Sequence, residues 1–237
     1  MAISELELPS GVLAHSLAGP EQLAQALAER VAAALDYAVT THGGASLVLS
    51  GGRSPIAFFE ALSVCELDWQ KVQISLADER WVDRDHPDSN EGLLRRHLLR
   101  NAAASAELLG LYQPAESLEE AARLASEALQ ALRKPIDVLV LGMGDDGHTA
   151  SLFPDSPLLA QGLDEEGMQP CLPMLAPAEP RQRISMTYPL LASARLQCLL
   201  IQGAQKLETL RQAIQVEPAQ MPIRAFLNAP LEIYWCP

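Results

Sequence analysis

The stretch DVLVLGMGDDGHTASLFP, residues 137–154, joins a short apolar run to a polar loop. The loop holds three glycines, two adjacent aspartates and a histidine within a few positions. An apolar run of this length predicts a strand that is buried on both faces, as in a parallel sheet. Ligands of parallel α/β sheets bind beyond the carboxyl ends of the strands, so we expect the loop to face a ligand.

The alternation of apolar runs with helical patterns sets the expected fold class. Further strands are predicted at 45–50, 71–79, 196–203 and 231–236. Helices are predicted from Pro20 to Gly43, from Ser54–Pro55 onward, at 88–100, from Ser117 to Pro135, in a short stretch after the glycine loop, and at 206–214. This order predicts a three-layer α/β fold, Rossmann-like, with a mostly parallel, doubly wound sheet and helices on both faces.

Length and proline content indicate the domain organisation. At 237 residues, the chain is expected to form a single α/β domain spanning 1–237. The segment 155–182 contains five prolines and little periodicity. We therefore expect it to form a long surface loop or flap.

Composition and charge exclude several classes of protein. No apolar run approaches the roughly 18 residues of a membrane span, and the first residues, MAISELELPSGV, lack the basic start of an export signal. Four cysteines without CxxC spacing favour reduced thiols over disulfides or zinc. We expect a cytoplasmic protein without a membrane partner. The net charge of −13 argues against a nucleic-acid partner, because phosphate backbones require a basic surface.

The glycine loop has two interpretations. Gly142, Gly144 and Gly147 match the GxGxxG fingerprint of dinucleotide-binding loops. Carboxylates in that loop would repel a pyrophosphate, and such loops normally open the first βα unit of a chain. The alternative is a proton-transfer site, in which Asp146 fixes the tautomer of His148 and raises its basicity. We favour this second interpretation.

The partner of His148, a possible metal site and the nature of the nucleophile can also be judged from the sequence. Asp78 is expected at another strand end, so Asp78 and Asp146 are both candidates for the carboxylate that orients His148. No second histidine or cysteine lies at ligand spacing, so we predict no metal site. A GxSxG nucleophile motif is also absent from the sequence, which favours water as the nucleophile if the protein is a hydrolase.

The segment LSGGRSP (49–55) is a candidate phosphate site. Ser50, Gly51, Gly52 and Ser54 offer hydroxyl groups and accessible amides just before a predicted helix N-terminus. The alternative is an ordinary strand-to-helix turn in which the serine caps the helix. The segment lacks the Gly-Lys-Ser/Thr ending of a nucleotide-triphosphate loop.

Five segments together resemble the motif series of the 6-phosphogluconolactonase family, in the same order along the chain. They are LSGGRSP (49–55), ADERWV (77–82) with DSN (88–90), GMGDDGHTASLFP (142–154), RISMTYPLL (183–191) and GAQK (203–206). The resemblance implies a single α/β domain, related to the glucosamine-6-phosphate deaminases. It also implies hydrolysis of 6-phospho-D-glucono-1,5-lactone to 6-phospho-D-gluconate in the oxidative pentose phosphate pathway, and no required cofactor.

The resemblance also assigns roles to individual residues. It places the substrate phosphate on the loop from Ser50 through Arg53 to Ser54, with Arg183 and Lys206 adding positive charge. This supplies the cationic cluster that a chain of net charge −13 otherwise lacks. Ser54 and Ser185 stand where the family often has threonine, and both keep a hydroxyl group.

The remaining roles concern the lactone itself. Arg80 and Asn90 are expected to contact sugar oxygens or the carbonyl group. His148 is expected to act as general base on the attacking water, and the oxyanion to be met by amides of the glycine loop or by Arg80. The expected ligand is a small sugar phosphate. The protein is expected to be a monomer or a weak homodimer.

Two alternatives to lactone hydrolysis are considered. One is a deaminase or isomerase, but those relatives carry a glutamate where this chain has Phe153 before Pro154. The other is a non-enzymatic sugar-phosphate sensor, which would be expected to have lost His148 or Asp146, and this chain keeps both.

Overall fold

The computed structural model describes residues 3–237. The strands are β1 (Leu13–Ser16), β2 (Ala45–Leu49), β3 (Val72–Leu76), β4 (Asp78–Arg80), β5 (Glu107–Leu109), β6 (Val138–Leu141), β7 (Cys171–Leu175), β8 (Gln182–Met186), β9 (Leu196–Gln202) and β10 (Leu231–Cys236). The α-helices are α1 (Pro20–His42), α2 (Ile56–Ser63), α3 (Asn90–His97), α4 (Leu118–Ala128), α5 (Leu159–Leu163), α6 (Tyr188–Ala192) and α7 (Ala204–Ala213).

The central sheet has seven strands in the order β1-β10-β9-β6-β2-β3-β5, and every neighbouring pair is parallel. All residues of β2 and β6 are buried. Because successive side chains of a strand point to opposite faces, this burial means that both faces of the sheet are covered. The predicted α/β class with a doubly wound parallel sheet is confirmed.

The strand order reverses between β2 and β6. From β2 the chain proceeds outward to β3, whereas from β6 it proceeds in the opposite direction to β9 and β10. Loops that follow neighbouring strands at such a reversal diverge and leave a crevice at the carboxyl ends of the strands. The structure therefore places the loops after β2 and β6 on either side of one crevice.

Local sequence signals account for the longest helix, α1. Pro20 occupies its first turn, and Gly43, with φ of 76°, ends it by donating its N–H to the carbonyl of Val39. Leu27 and Val31, spaced by one turn, are fully buried. None of the helices within residues 3–237 combines the length and the apolar character needed to cross a membrane.

Several helix boundaries differ from the prediction. Helix α3 spans Asn90–His97 instead of 88–100, and α7 spans Ala204–Ala213 instead of 206–214. Helix α2 begins at Ile56 rather than Ser54–Pro55, and Ser54 makes no capping hydrogen bond. The carbonyls of Arg53 and Pro55 instead accept the first N–H groups of this turn, so backbone atoms replace the predicted serine cap. Helix α4 gives way at Ala128 to a short 3-10 turn instead of continuing to Pro135.

The predicted strand 71–79 is divided between two sheets. β3 ends at Leu76, and Asp78 begins β4, which belongs to a three-stranded antiparallel sheet of order β4-β8-β7. Ala77 lies at the junction, where its N–H donates to the carbonyl of Leu49 in the central sheet and its carbonyl accepts the N–H of Met186 in the antiparallel sheet. Asp78 thus starts a strand instead of ending one.

The segment 155–182 is not a long loop or flap. It contains helix α5 and strand β7, and β8 starts at its last residue. Strand β7 is the edge of the second sheet, where Pro173 is tolerated because one side of an edge strand needs no ladder hydrogen bonds. The predicted short helix after the glycine loop is also wrong, because residues 143–154 form turns and one two-residue bridge between Thr149 and Leu152.

The burial of β2 predicts a difference in stability between two leucine substitutions. Leu47 is fully buried in β2 between Ile74 and Val138, whereas Leu13 on the edge strand β1 is 57% exposed. Leu47→Ala should lower the free energy of unfolding by about 2–5 kcal/mol, and Leu13→Ala by less than about 1 kcal/mol. Urea unfolding of both variants measures the difference. Equal losses would contradict the assignment of β2 to the core.

Candidate active site

A cavity of about 220 Å³ lies at the carboxyl ends of β2, β6 and β9. This volume is below the roughly 300–1,000 Å³ of pockets for drug-sized ligands, which suits a small ligand. Ten residues that the sequence identified line the cavity: Ser50, Gly51, Gly52, Ser54, Asp78, Arg80, Asn90, His148, Arg183 and Lys206.

His148 and Asp146 form a hydrogen-bonded pair at the cavity. The Asp146 Oδ1 atom lies 2.6 Å from His148 Nδ1 and also accepts the backbone N–H of His148 at 3.0 Å. Burial opposes ionisation of Asp146, but the hydrogen bonds from His148 outweigh it, so the pKa of Asp146 is lowered. An ionised carboxylate at Nδ1 favours the tautomer in which Nε2 carries a free lone pair.

Glycines of the loop make this pair possible. A Cβ atom on Gly144 would lie 2.1 Å from His148 Nδ1 and 2.6 Å from Asp146 Oδ1. Gly147 has φ of 76°, in the left-handed region, and a Cβ there would meet Met221 at 2.7 Å. The spacing that resembles a dinucleotide fingerprint is thus explained by a tight turn around an imidazole.

The structure resolves which carboxylate touches His148. Asp78, the second candidate, is buried and its Oδ2 atom accepts a hydrogen bond of 2.6 Å from Ser151 Oγ. It makes no hydrogen bond to His148, whose carboxylate partner is Asp146. The expectation that Asp78 could orient the imidazole is wrong for a direct contact, because Asp78 lies in β4 of the antiparallel sheet and its carboxylate binds Ser151 instead.

Phe153 forms a wall beside the imidazole. Its ring centroid lies 4.3 Å from that of His148, and the Cζ atom of Arg183 lies 5.9 Å from the same ring. Arg183 is 8% exposed and donates its Nε hydrogen to the carbonyl of Pro180. Burial lowers the pKa of Arg183, and the nearby charge of Asp78 opposes that effect.

The cavity is positively charged in an acidic protein. Arg80, Arg183 and Lys206 line it, and Asp78 is the acidic residue among its lining. Lys206 lies in the first turn of α7, where the helix dipole disfavours a cation. Asp145 offsets this with a carboxylate 2.7 Å from Lys206 Nζ. The cavity can therefore receive an anion.

Polar atoms without protein partners face this region. Ser50 Oγ, Arg80 Nε and Asn90 Oδ1 are buried and have no hydrogen-bond partner within the described chain. Asn90 approaches the SGG loop so closely that a Cβ on Gly51 would lie 1.9 Å from its Oδ1. Buried polar groups are rarely left unsatisfied, so these atoms are suited to bind the hydroxyl or phosphate groups of a ligand.

Two predicted residues lie outside the cavity wall. Asp146 is behind His148 and acts on the cavity through the imidazole. Arg53 is exposed and does not line the cavity, so its contact with a ligand stays a prediction. It lies in the turn between Gly52 and α2, which presents the neighbouring residues to the cavity and Arg53 to solvent.

Sequence reasoning missed three residues that shape the site. Asp145 pairs with Lys206, Ser151 pairs with Asp78, and Glu79 binds the start of α3. Asp145 and Ser151 lie in the GMGDDGHTASLFP motif, and Glu79 lies in ADER. Their position in these motifs was the one sign in the sequence that they belong to the site. Within residues 3–237, no three histidine, cysteine or acidic side chains come together in a metal-binding arrangement.

Comparison with known proteins agrees with this geometry. A profile of the family described as glucosamine-6-phosphate isomerases/6-phosphogluconolactonase matches residues 18–235. The chain is 57% identical to the 6-phosphogluconolactonase of Pseudomonas aeruginosa, with all of both chains covered. It is 58% identical to that of Pseudomonas putida, with 100% of this chain and 98% of the relative covered.

A solved structure adds agreement in three dimensions. A 6-phosphogluconolactonase from Shewanella baltica superposes with a TM-score of 0.93 at 39% identity, covering 97% of this chain and 100% of that one. The described fold and the long matches in sequence point to the same group of proteins. The chain belongs to the family of glucosamine-6-phosphate isomerases and 6-phosphogluconolactonases.

Proposed function

We propose that the protein hydrolyses 6-phospho-D-glucono-1,5-lactone to 6-phospho-D-gluconate, as a carboxylic ester hydrolase of the oxidative pentose phosphate pathway. The observation that carries this proposal is the His148–Asp146 pair at the wall of a cavity lined by three cationic side chains. The relatives over 50% identical across the whole chain bear the name of this activity.

The pair supplies a general base. With Asp146 at Nδ1, the Nε2 atom of His148 removes a proton from a water molecule as its oxygen attacks the lactone carbonyl carbon. The resulting imidazolium is stabilised by the Asp146 carboxylate. When the tetrahedral intermediate collapses, the bond from the carbonyl carbon to the ring oxygen breaks, and His148 returns the proton to that oxygen.

The other residues bind the charged and polar groups of the substrate. The phosphate lies against the loop formed by Ser50, Gly51, Gly52 and Ser54, with Lys206 and Arg183 providing positive charge. Asn90 and Arg80 contact the sugar oxygens or the carbonyl group. The oxyanion is met by amides of the glycine loop or by Arg80.

Phe153 favours hydrolysis over isomerisation or deamination. Ring opening of an amino-sugar phosphate needs a group that exchanges protons, and the residue packed against His148 is an aromatic hydrocarbon. A lactone needs no such second group, because the single imidazole both removes and returns the proton.

Replacing His148 tests the proposal directly. His148→Ala should lower the rate of hydrolysis of freshly generated 6-phosphogluconolactone, after subtraction of the spontaneous rate, by about 10²–10⁴-fold. The affinity for 6-phosphogluconate should be retained, because the phosphate contacts are intact. His42→Ala, which changes an exposed histidine at the end of α1, serves as the control and should leave the rate unchanged.

The outcomes separate the candidate functions. Full activity in His148→Ala would be consistent with lactone hydrolysis but would contradict the role of His148 as general base. No hydrolysis above background by the intact protein would rule out the lactonase and favour a sugar-phosphate sensor.

The glycine loop offers a test of the geometry of the pair. Gly144→Ala should lower kcat by about 100-fold or more, because the added Cβ must displace the His148 ring or the Asp146 carboxylate. Gly19→Ala is the control, since a Cβ there also meets nothing within 4 Å and Gly19 precedes α1, away from the cavity. A steady-state assay of both variants should show a much smaller loss for Gly19→Ala, and equal losses would contradict the steric explanation.

Lys206 provides a test of phosphate recognition. Lys206→Gln should raise KM for the phosphorylated lactone by about 10-fold or more, because a charge-assisted contact to phosphate is lost. Hydrolysis of the non-phosphorylated glucono-1,5-lactone should change by less than about twofold. Lys71→Gln, which alters a surface lysine paired with Asp68, is the control. Equal effects on both lactones would contradict a phosphate contact at Lys206.

A further inference from the structure

Glu79 is a buried carboxylate that the proposed mechanism does not use. It follows Asp78 in β4 and is 0% exposed. Such a side chain is ordinarily neutralised by a cation, yet the described structure places no ion-pair partner within salt-bridge distance of Glu79. It is surrounded by hydrogen-bond donors instead.

Four hydrogen bonds converge on this carboxylate. The Oε1 atom accepts the backbone N–H groups of Arg80 and Asn90, each at 2.7 Å. The Oε2 atom accepts the N–H of Glu91 at 2.7 Å and the hydroxyl of Ser89 at 3.2 Å. Ser89 in turn accepts the N–H of Gly92 at 3.0 Å. The free amides at the start of α3 are thereby satisfied.

The backbone groups that Glu79 holds belong to cavity residues. Asn90 is the first residue of α3, and its side-chain amide donates to the carbonyl of Asp78 at 2.9 Å. Its Oδ1 atom remains unpartnered at the cavity. Arg80 also lines the cavity, with its Nη1 atom donating to the carbonyl of Asp88. Glu79 links the strand that carries Arg80 to the helix that begins with Asn90.

We propose that Glu79 is a positioning residue, whose ionised carboxylate fastens Arg80 and Asn90 in the geometry that binds the substrate. This inference rests on the proposed function for the identity of the ligand. Glu79 does not touch the substrate; it acts through the backbone of the two residues that do.

The charge of the carboxylate matters, because every partner of Glu79 donates a hydrogen bond. The three backbone N–H groups can only donate, so a protonated carboxyl group or a glutamine amide offers them fewer acceptor sites and must reverse its hydrogen bond with the Ser89 hydroxyl, which weakens the junction between β4 and α3. The ionised carboxylate, which only accepts hydrogen bonds, therefore fits this set of four donors best.

The environment brings the ionisation of Glu79 into the neutral range. Burial raises its pKa to about 7, the three backbone hydrogen bonds counteract part of this rise, and the charge of Asp78 adds to it. Around it, Arg80 and Arg183 are the nearby cations, and Asp78 and Glu91 are the other acids. Because the acid is protonated below its pKa, ligand affinity should fall as the pH is lowered through about 7.

Glu79→Gln tests the proposal through binding as well as turnover. We expect a loss of affinity for 6-phosphogluconate of about 10-fold by calorimetry near pH 8, and a similar rise in KM for the lactone, with kcat changed less. Glu91→Gln is the matched control: Glu91 is also buried at the start of α3, but its carboxylate binds Arg95. It should keep the affinity within about twofold.

The pH dependence distinguishes positioning from a general structural role. In a His148→Asn background, which removes the imidazole from the site, affinity should fall between about pH 8 and pH 6 when Glu79 is present. The phosphate of the ligand has a pKa of about 6, so its protonation lowers the affinity of both proteins over this range. In His148→Asn/Glu79→Gln only this loss of affinity should remain. Equal pH dependence in the two proteins would overturn the proposal.

A second variant covers the case in which Glu79→Gln does not fold. Ser89→Ala removes one donor to the carboxylate, so the midpoint of the pH dependence should move upward. An unchanged midpoint would overturn the proposal. Failure of the proposed function is recognised separately by absent lactone hydrolysis in the intact protein. If the intact protein hydrolyses the lactone and Glu79→Gln binds product normally, the inference alone fails.

Discussion

The reversal of strand order between β2 and β6 is the constraint on which the site depends. Two neighbouring parallel strands there send their chains to opposite sides, so the loops after them cannot pack on each other and a crevice remains. The loop after β2 supplies Ser50 and the following glycines, and the loop after β6 supplies His148. Because both strands are wholly buried, these loops start from fixed points in a close-packed core.

The second, antiparallel sheet completes the crevice. Ala77 joins the two sheets with one hydrogen bond to each, and the residues after it place Asp78 and Arg80 at the cavity. Strand β8 pairs with β4 so that Arg183 lies opposite Arg80. Two guanidinium groups on adjacent strands repel each other, and Asp78 on the same strand pair offsets part of that repulsion. The arrangement costs stability and provides the positive charge that an anionic ligand needs.

The sequence predicted five of the seven strands of the central sheet, most of them from apolar runs, a signal that is local to each segment. It missed the edge strands β1 and β5, which are short and little buried and so carry no such run. Polar residues at the carboxyl ends of parallel strands must meet, which accounts for the prediction of Ser50 and His148. Arg80, Asn90, Arg183 and Lys206 were instead assigned from the resemblance to the family, and Arg80 and Arg183 lie in the antiparallel sheet. The antiparallel sheet was missed because β4 has three residues and β7 contains Pro173, which left little local pattern. The contacts of Asp145 with Lys206 and of Ser151 with Asp78 join distant segments, so no local pattern reports them.

The glycine loop shows how one spacing can arise from two different constraints. In a dinucleotide-binding loop, glycines let the backbone approach a pyrophosphate. Here Gly144 lets the backbone approach its own His148 and Asp146, and Gly147 takes a conformation that other residues rarely adopt. The spacing therefore reports only that the loop is tight. The carboxylates between the glycines identify the chemistry, because an acid that would repel a pyrophosphate is the group that holds an imidazole ready to accept a proton.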